Sequence, residues 1–174
     1  MTLQILTLTS EMFDKRPSSS SIDTIIIHSM YSPDSSDQLS VQACKNSLDA
    51  HGVSSHYLIG LDGAIYRCVD EEFRAWHAGE SCMPTPHDQR TAVNAFSIGI
   101  ELIGNEEQDF SDAQYSALIE LTNDIMSRRT ITSIYGHCDI APDRKTDPWG
   151  FDWTRFLSGL HTDTSSLNTP LSPA

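Results

Sequence analysis

Two short apolar runs constrain this chain more than any other feature. Thr24-Ile-Ile-Ile-His28 is β-branched and too short for a buried helix, so it reads as a strand covered on both faces. Ser97-Ile-Gly-Ile-Glu-Leu-Ile103 reads as a second strand, with Gly99 in its interior. Each run carries one residue out of keeping with the rest. His28 closes the first, a strand-end position that sites use. Glu101 alternates with Ile100 and Leu102 and so projects to the face opposite theirs. An inward carboxylate must be paired or put to use, whereas on a half-exposed strand it would simply face solvent. Composition does not separate these two readings.

Around these runs the pattern alternates between strands and helices. From Ser40 to about His51, Val41, Cys44 and Leu48 recur at helical steps, with Gly52 as the stop. His56 to Ile59 and Ala64 to Val69 predict a hairpin turned through Asp62-Gly63 as a type I′ turn. Residues 80–94, with two prolines, predict a long loop of the kind that is often functional. Ser111-Asp-Ala-Gln114 has the capping-box pattern. It precedes a helix with Tyr115, Leu118, Ile119, Thr122, Ile125 and Met126 on one stripe. Ile131 to Tyr135 predicts one more strand, and Asp152 to Leu157 a short last helix. The rhythm is not strictly strand–helix–strand and contains one hairpin. The expected class is therefore α/β, a single domain with a mixed central β-sheet flanked by helices. Residues 1–22 read as an N-terminal extended segment, 23–160 as the folded domain and 161–174 as a disordered tail.

A length of 174 residues suits one domain. No apolar run is long enough to span a bilayer, and the first residues lack the basic region of a secretory signal. The 24 Asp and Glu against 11 Lys and Arg give a net charge of −13 with neutral histidines. Such a surface repels phosphate backbones and anionic lipid, which argues against nucleic acid as a partner. An acidic substrate would require the few basic residues to gather at the site. Cys44, Cys68, Cys82 and Cys138 are scattered, with no CxxC pair, and read as reduced, mostly buried thiols.

The chemistry-bearing residues are few. No two of the seven histidines pair as HExxH or HxxxH. His28 and His137 each close an apolar strand, and Asp147 follows His137 beyond a tight loop containing proline. Two imidazoles and a carboxylate would suit zinc and leave a fourth position for water. Spacing alone favours the simpler reading, in which each histidine hydrogen-bonds locally at a sheet end. Glu101 beside such a metal could position water and take its proton. Lys145, in the charged loop Asp143–Asp147, could stabilise an oxyanion. Trp76-His77 and His56 read as core and hydrogen-bond structure, and His51, His87 and His161 as surface residues. Cys138 adjoins His137, but neighbours in an extended segment point to opposite faces, which argues against a thiol nucleophile. No Gly-x-Ser-x-Gly elbow, P-loop or dinucleotide fingerprint occurs.

Five blocks taken together carry a resemblance. They are Ile25-Ile-Ile-His28, Ser55-His-Tyr-Leu-Ile59 with Asp62-Gly63, Arg74-Ala-Trp-His-Ala-Gly79, Phe96-Ser-Ile-Gly-Ile-Glu-Leu102 and Gly136-His-Cys-Asp-Ile-Ala-Pro-Asp-Arg-Lys-Thr-Asp-Pro148. In this order they resemble the zinc-dependent N-acetylmuramoyl-L-alanine amidases of the type 2 family, above all the AmpD-like branch that recycles 1,6-anhydromuropeptides in the cytoplasm. The likeness covers roughly residues 13–157. It implies a fold shared with peptidoglycan recognition proteins and one Zn2+ per chain, held by His28, His137 and Asp147. It also implies Glu101 as the catalytic carboxylate and Lys145 as the lysine that stabilises the transition state. Arg74, Ser29, Arg90 and Trp149 fall at or beside positions that meet substrate.

The implied reaction is hydrolysis of the amide between N-acetylmuramic acid, in its 1,6-anhydro form, and L-alanine. The implied partner is a small muropeptide, acted on in the cytoplasm by a monomer. Arg74, Arg90, Arg144 and Lys145 are expected to form a basic island for the peptide carboxylates. Departures from the branch are Ser29 in place of an asparagine, Trp149 inserted between Pro148 and Gly150, and a changed loop around Arg90 and Ala92. They leave open an amidase of intact or nascent peptidoglycan or of lipid-linked precursor. A non-catalytic peptidoglycan-binding protein is the rival from another class, although the full ligand set favours an enzyme.

Overall fold

Strand β3 (Thr24–Met30) lies parallel to β7 (Ser97–Ile103) in the middle of a six-stranded sheet. The computed structural model describes residues 3–86 and 88–171. His87, expected at the surface, and the last three residues of the expected tail lie outside the described residues. The strand order is β1 (Ile5–Thr7), β5 (Ile65–Arg67), β4 (Tyr57–Ile59), β7, β3 and β8 (Ser133–Gly136). Only β4 and β5 run antiparallel; the other pairs are parallel, so the sheet is mixed as expected.

Both central strands are buried on both faces, apart from partly exposed Met30. On one face Ile25, Ile27, Ile98, Ile100 and Leu102 pack against Leu118, Leu121 and Ile125 of α2 (Asp112–Arg128) and Phe156 of α4 (Trp153–Ser158). On the other, Ile26 joins Ala78, Met83, Val93, Phe96 and Tyr135. Further along that face, Cys44 of α1 (Val41–Ala50) packs with Leu58 and Ile103. Each large aliphatic side chain sealed in this way contributes ~1.5–3 kcal/mol.

Local signals set the helix ends. Ser111 Oγ accepts from the Gln114 amide and Gln114 Oε1 accepts from the Ser111 amide, both at 3.1 Å, so α2 starts at its capping box. Gly52, at φ +67°, follows α1 where a stop was expected. The hairpin differs in detail. Gly63 N–H donates to the Gly60 carbonyl and Gly60 N–H to the Ala64 carbonyl, and within the turn only Gly63 has a positive φ. A type I′ turn needs a positive φ at Asp62 as well, so the loop is a longer one closed by a left-handed glycine.

Both expected boundaries shift. The N-terminal segment forms β1 at the sheet edge and β2 (Phe13–Lys15), which pairs with β6 (Phe73–Ala75). It is extended, but it is part of the fold. The expected disordered tail instead returns to β8. Leu167 is buried in the main core, Ile134 N–H donates to the Asn168 carbonyl and Asn168 N–H to that of Thr132. These bonds cover backbone groups that the edge strand would otherwise expose.

Glu71 ties α2 to the sheet. Its carboxylate accepts from Tyr57 Oη at 2.8 Å, from both Arg128 Nη atoms at 3.0 Å and from Arg129 Nε at 2.6 Å. Burial opposes its charge, but these donors outweigh burial and hold the carboxyl at about 2. The folded value lies below the unfolded value of about 4.3, so this stabilisation is complete above that value and is lost as pH falls toward 2. Removing one member of a fully buried ion pair costs ~3–5 kcal/mol. Arg128 and Arg129 keep 43% and 20% exposure, which lowers the expected cost to about 2 kcal/mol. Urea denaturation should therefore find Glu71→Gln less stable than wild type at pH 7. The two stabilities should converge in strong acid.

Candidate metal centre

The parallel register sets His28 of β3 directly beside Glu101 of β7, on the face opposite α2. β8 ends at Gly136, and the chain then forms a single helical turn, α3 (His137–Ile140), that the sequence did not suggest. Asp139 starts the turn by accepting from the Gly136 amide at 2.7 Å. His137 and Cys138 are therefore helical neighbours, not residues on opposite faces of a strand. Burial, and then the charges of Asp139 and Asp147, push the Cys138 thiol up, so it stays protonated and is a poor nucleophile. All four cysteines are free. Cys44 and Cys68 are buried, Cys138 is half-buried and Cys82 is exposed.

His28, His137 and Asp147 converge although they are distant in sequence. His28 Nδ1 lies 3.0 Å from His137 Nδ1 and 3.5 Å from Asp147 Oδ2, and His137 Nδ1 lies 3.2 Å from the same oxygen. His137 Nε2 faces the Ala78 carbonyl at 3.3 Å. A carbonyl can only accept, so that nitrogen carries the proton and Nδ1 presents its lone pair to Asp147. Four-coordinate zinc with ligands at ~2.0–2.1 Å places neighbouring donor atoms about 3.3 Å apart. The observed separations bracket that value, and two imidazoles with one carboxylate are a donor set that zinc accepts. The residues fit the ion.

Glu101 stands beside this cluster at 6% exposure, with Oε1 3.9 Å from His28 Nδ1 and Oε2 unpartnered. Burial, then the Asp147 carboxylate, push its carboxyl well above the usual range, and Lys145 opposes them. Asp147 goes the other way. Burial resists its charge, but the flanking His137 and His28 rings hold its carboxyl well below the usual range.

A groove of about 520 Å³ opens onto these groups. Lys145 lines it and has no hydrogen-bond or ion-pair partner for its ammonium among the described residues. Ser29 and Trp149 also line it, and Ser29 Oγ accepts from the Trp149 amide at 3.2 Å. Trp149 stands edge-on to Tyr31, which with Trp76 adds further aromatic surface. His51, expected at the surface, is exposed at the helix end and also lines the groove.

Two sequence-read substrate residues do not line the groove. The Arg74 guanidinium is paired with Asp14 in the small β2–β6 sheet. Arg90 bonds Asp88 and Asp23 and lies over the Phe96 ring. Each is neutralised by a local carboxylate, which the sequence pattern did not reveal. The basic island thus reduces to Arg144 and Lys145, and Arg144 itself bonds the Ala78 and Glu80 carbonyls.

Sequence reasoning also missed the supports of the ligands. Asn94 Oδ1 accepts from the amides of His77 and Ala78 at 3.0 and 2.8 Å, and the His77 ring packs on Gly99. A Cβ at Gly99 would lie 2.4 Å from His77 Cγ. A glycine inside an otherwise β-branched strand was the available signal of this close approach.

Comparison with known proteins agrees with this geometry. The family model for N-acetylmuramoyl-L-alanine amidase matches residues 18–150. The chain belongs to that family. The 1,6-anhydro-N-acetylmuramyl-L-alanine amidase AmpD of Haemophilus influenzae is 50% identical over 112 residues, which are 62% of this chain and 59% of that protein. The chain thus spans about three fifths of the length of the curated relatives it matches. The crystal structure of a selenomethionine AmpD derivative gives a TM-score of 0.78 at 34% identity, over 92% of this chain and 96% of that one. The amidase AmiD of Escherichia coli, solved with the substrate anhydro-N-acetylmuramic acid-L-Ala-D-γ-Glu-L-Lys, gives 0.67 at 31% identity. That match covers 83% of this chain and 60% of that one. No helix among the described residues is long and apolar enough to cross a membrane.

Asn94→Ala should leave two backbone donors unpaired beside the His28–His137–Asp147 cluster. The expected cost is ~1–3 kcal/mol of stability, read from a urea midpoint at unchanged slope.

Proposed function

We propose that this chain is a zinc-dependent amidase that cleaves the bond between N-acetylmuramic acid and L-alanine in small muropeptides. Its preferred sugar is the 1,6-anhydro form, and its setting is peptidoglycan recycling by a monomer in the cytoplasm. The observation that carries this reading is that a buried carboxyl with a free oxygen and an unpaired ammonium line the same groove as a three-residue zinc-type donor set. The family match supports the reaction class, and the anhydromuropeptide in the AmiD complex supports the sugar form.

Held by His28, His137 and Asp147, zinc would supply Lewis acidity to the scissile carbonyl and to the attacking water. Glu101 Oε2 accepts the proton that the water gives up as it attacks. With its carboxyl raised by burial, Glu101 can then return the proton to the departing alanine nitrogen. The Lys145 ammonium meets the negative charge that develops on the carbonyl oxygen. Tyr31, Trp76 and Trp149 offer apolar faces to the sugar and lactyl group.

Mass spectrometry of purified protein mixed with anhydromuropeptide should detect free peptide. A chelator should stop the release and zinc should restore it. Cleavage by metal-free protein would sink the zinc mechanism. Glu101→Gln should lower the rate by ~10²–10⁴-fold, and Lys145→Ala by ~10²–10³-fold, with the fold retained. Intact sacculus in a parallel reaction separates the sugar-form readings, because faster release from sacculus would favour an amidase of the wall. Binding without cleavage, unchanged in Glu101→Gln, would identify a recognition module instead.

A further inference from the structure

His77 is not among the three ligands, yet valence connects it to one of them. Ser97 Oγ lies 2.7 Å from the Val93 carbonyl oxygen and 3.1 Å from His77 Nε2. The carbonyl can only accept, so the single hydroxyl proton points to it, and Oγ must accept from His77 Nε2–H. In a neutral imidazole, His77 Nδ1 is then the bare nitrogen. It lies 2.9 Å from His28 Nε2, which must therefore donate. His28 is left with its lone pair on Nδ1, the atom that faces Asp147 and His137. Each step is forced by the one before it.

The ring that transmits this constraint has little freedom. It is 8% exposed and pressed against the Gly99 backbone, its amide is held by Asn94, and the His56 ring stands edge-on 5.7 Å away. The next residue serves the second histidine, because the Ala78 carbonyl accepts from His137 Nε2.

We propose that His77, held by Ser97, is a positioning residue that fixes the tautomer and ring orientation of His28 for metal binding. This rests on the reading of His28, His137 and Asp147 as a zinc site and adds to it the origin of the ligand's tautomer. His77 does not touch substrate. It acts by keeping a proton off His28 Nδ1, so that metal binding need not displace one.

The test compares wild type, His77→Phe, His77→Asn and Ser97→Ala. Zinc affinity is read by competition with a chromophoric chelator, ligand geometry by the visible spectrum of the Co2+-loaded protein, and folding by circular dichroism. Phe keeps the ring but removes the acceptor, so zinc affinity should fall ~10–100-fold and the Co2+ bands should shift. Asn places an oxygen near the former Nδ1 and should recover most of the affinity. Ser97→Ala releases the His77 tautomer and should give an intermediate loss. If His77→Phe fails to fold, Ser97→Ala and His77→Asn carry the same comparison. Wild-type affinity and spectrum in folded His77→Phe or in Ser97→Ala overturn this assignment alone. Absence of zinc uptake by the wild-type chain overturns both the assignment and the metal reading beneath it.

Discussion

Every distance in the site depends on the parallel pairing of β3 with β7. Side chains alternate along a strand, so slipping this pair by one residue would turn His28 and Glu101 to opposite faces. The same slip would take the isoleucines of one strand away from α2. Burial of Ile25, Ile27, Ile98, Ile100 and Leu102 against α2 and α4 therefore enforces the register that sets His28 beside Glu101. The cohesion of the core and the geometry of the chemistry have one cause. Strands also hold the two side chains more tightly than loops would.

The electrostatics divide the two carboxyls by role. Asp147 lies against both imidazoles, and its carboxyl is held well below the usual range. Glu101 has no hydrogen-bond partner at Oε2, and burial pushes its carboxyl well above the usual range. Neighbouring carboxyls driven apart in this way mark separate tasks. Two cationic side chains, Arg144 and Lys145, line the groove among the described residues, and Arg144 is engaged by two carbonyls. In a chain of net charge −13, the His28–His137–Asp147 cluster could hold a metal ion beside these carboxyls.

Much of this was legible because strand and helix periodicities report burial directly. The run ending at His28, the alternation around Glu101 and the capping box at Ser111 each describe interactions within a few residues. What was not legible depends on partners distant in sequence. Nothing near Arg74 or Arg90 announces that Asp14 and Asp23 will neutralise them. Leu167 looks like one apolar residue in a polar tail until β8 is there to receive it. The turn at His137 was hidden because four residues are too few to show a period. The resemblance to the amidases brought His28, His137 and Asp147 together where spacing could not, since proximity across a sheet is not written in sequence distance. Gly99 is the instructive case. Its presence in the strand was visible, but its reason, the His77 ring, lies on another segment.

The support of the His28–His137–Asp147 cluster reaches to the N-terminal segment that the sequence set outside the domain. Arg16 donates to the carbonyls of Glu71, Asn94, Ala95 and Ser97. The last three of those bonds fix the turn where loop 80–94 enters β7. From that turn Asn94 holds the amides of residues 77 and 78, and Ser97 holds the His77 ring. His77 and Ala78 in turn orient His28 and His137. The guanidinium is itself buried, and burial lowers it to about 10, still far above neutrality, so it remains a charged donor. A charge in that position raises the cost of misplacing any of the four carbonyls, because each would leave a buried cation short of an acceptor. The site is thus held in layers, from β2 and its following loop to the entrance of β7, then to the His77–Ala78 pair, and last to His28 and His137 themselves.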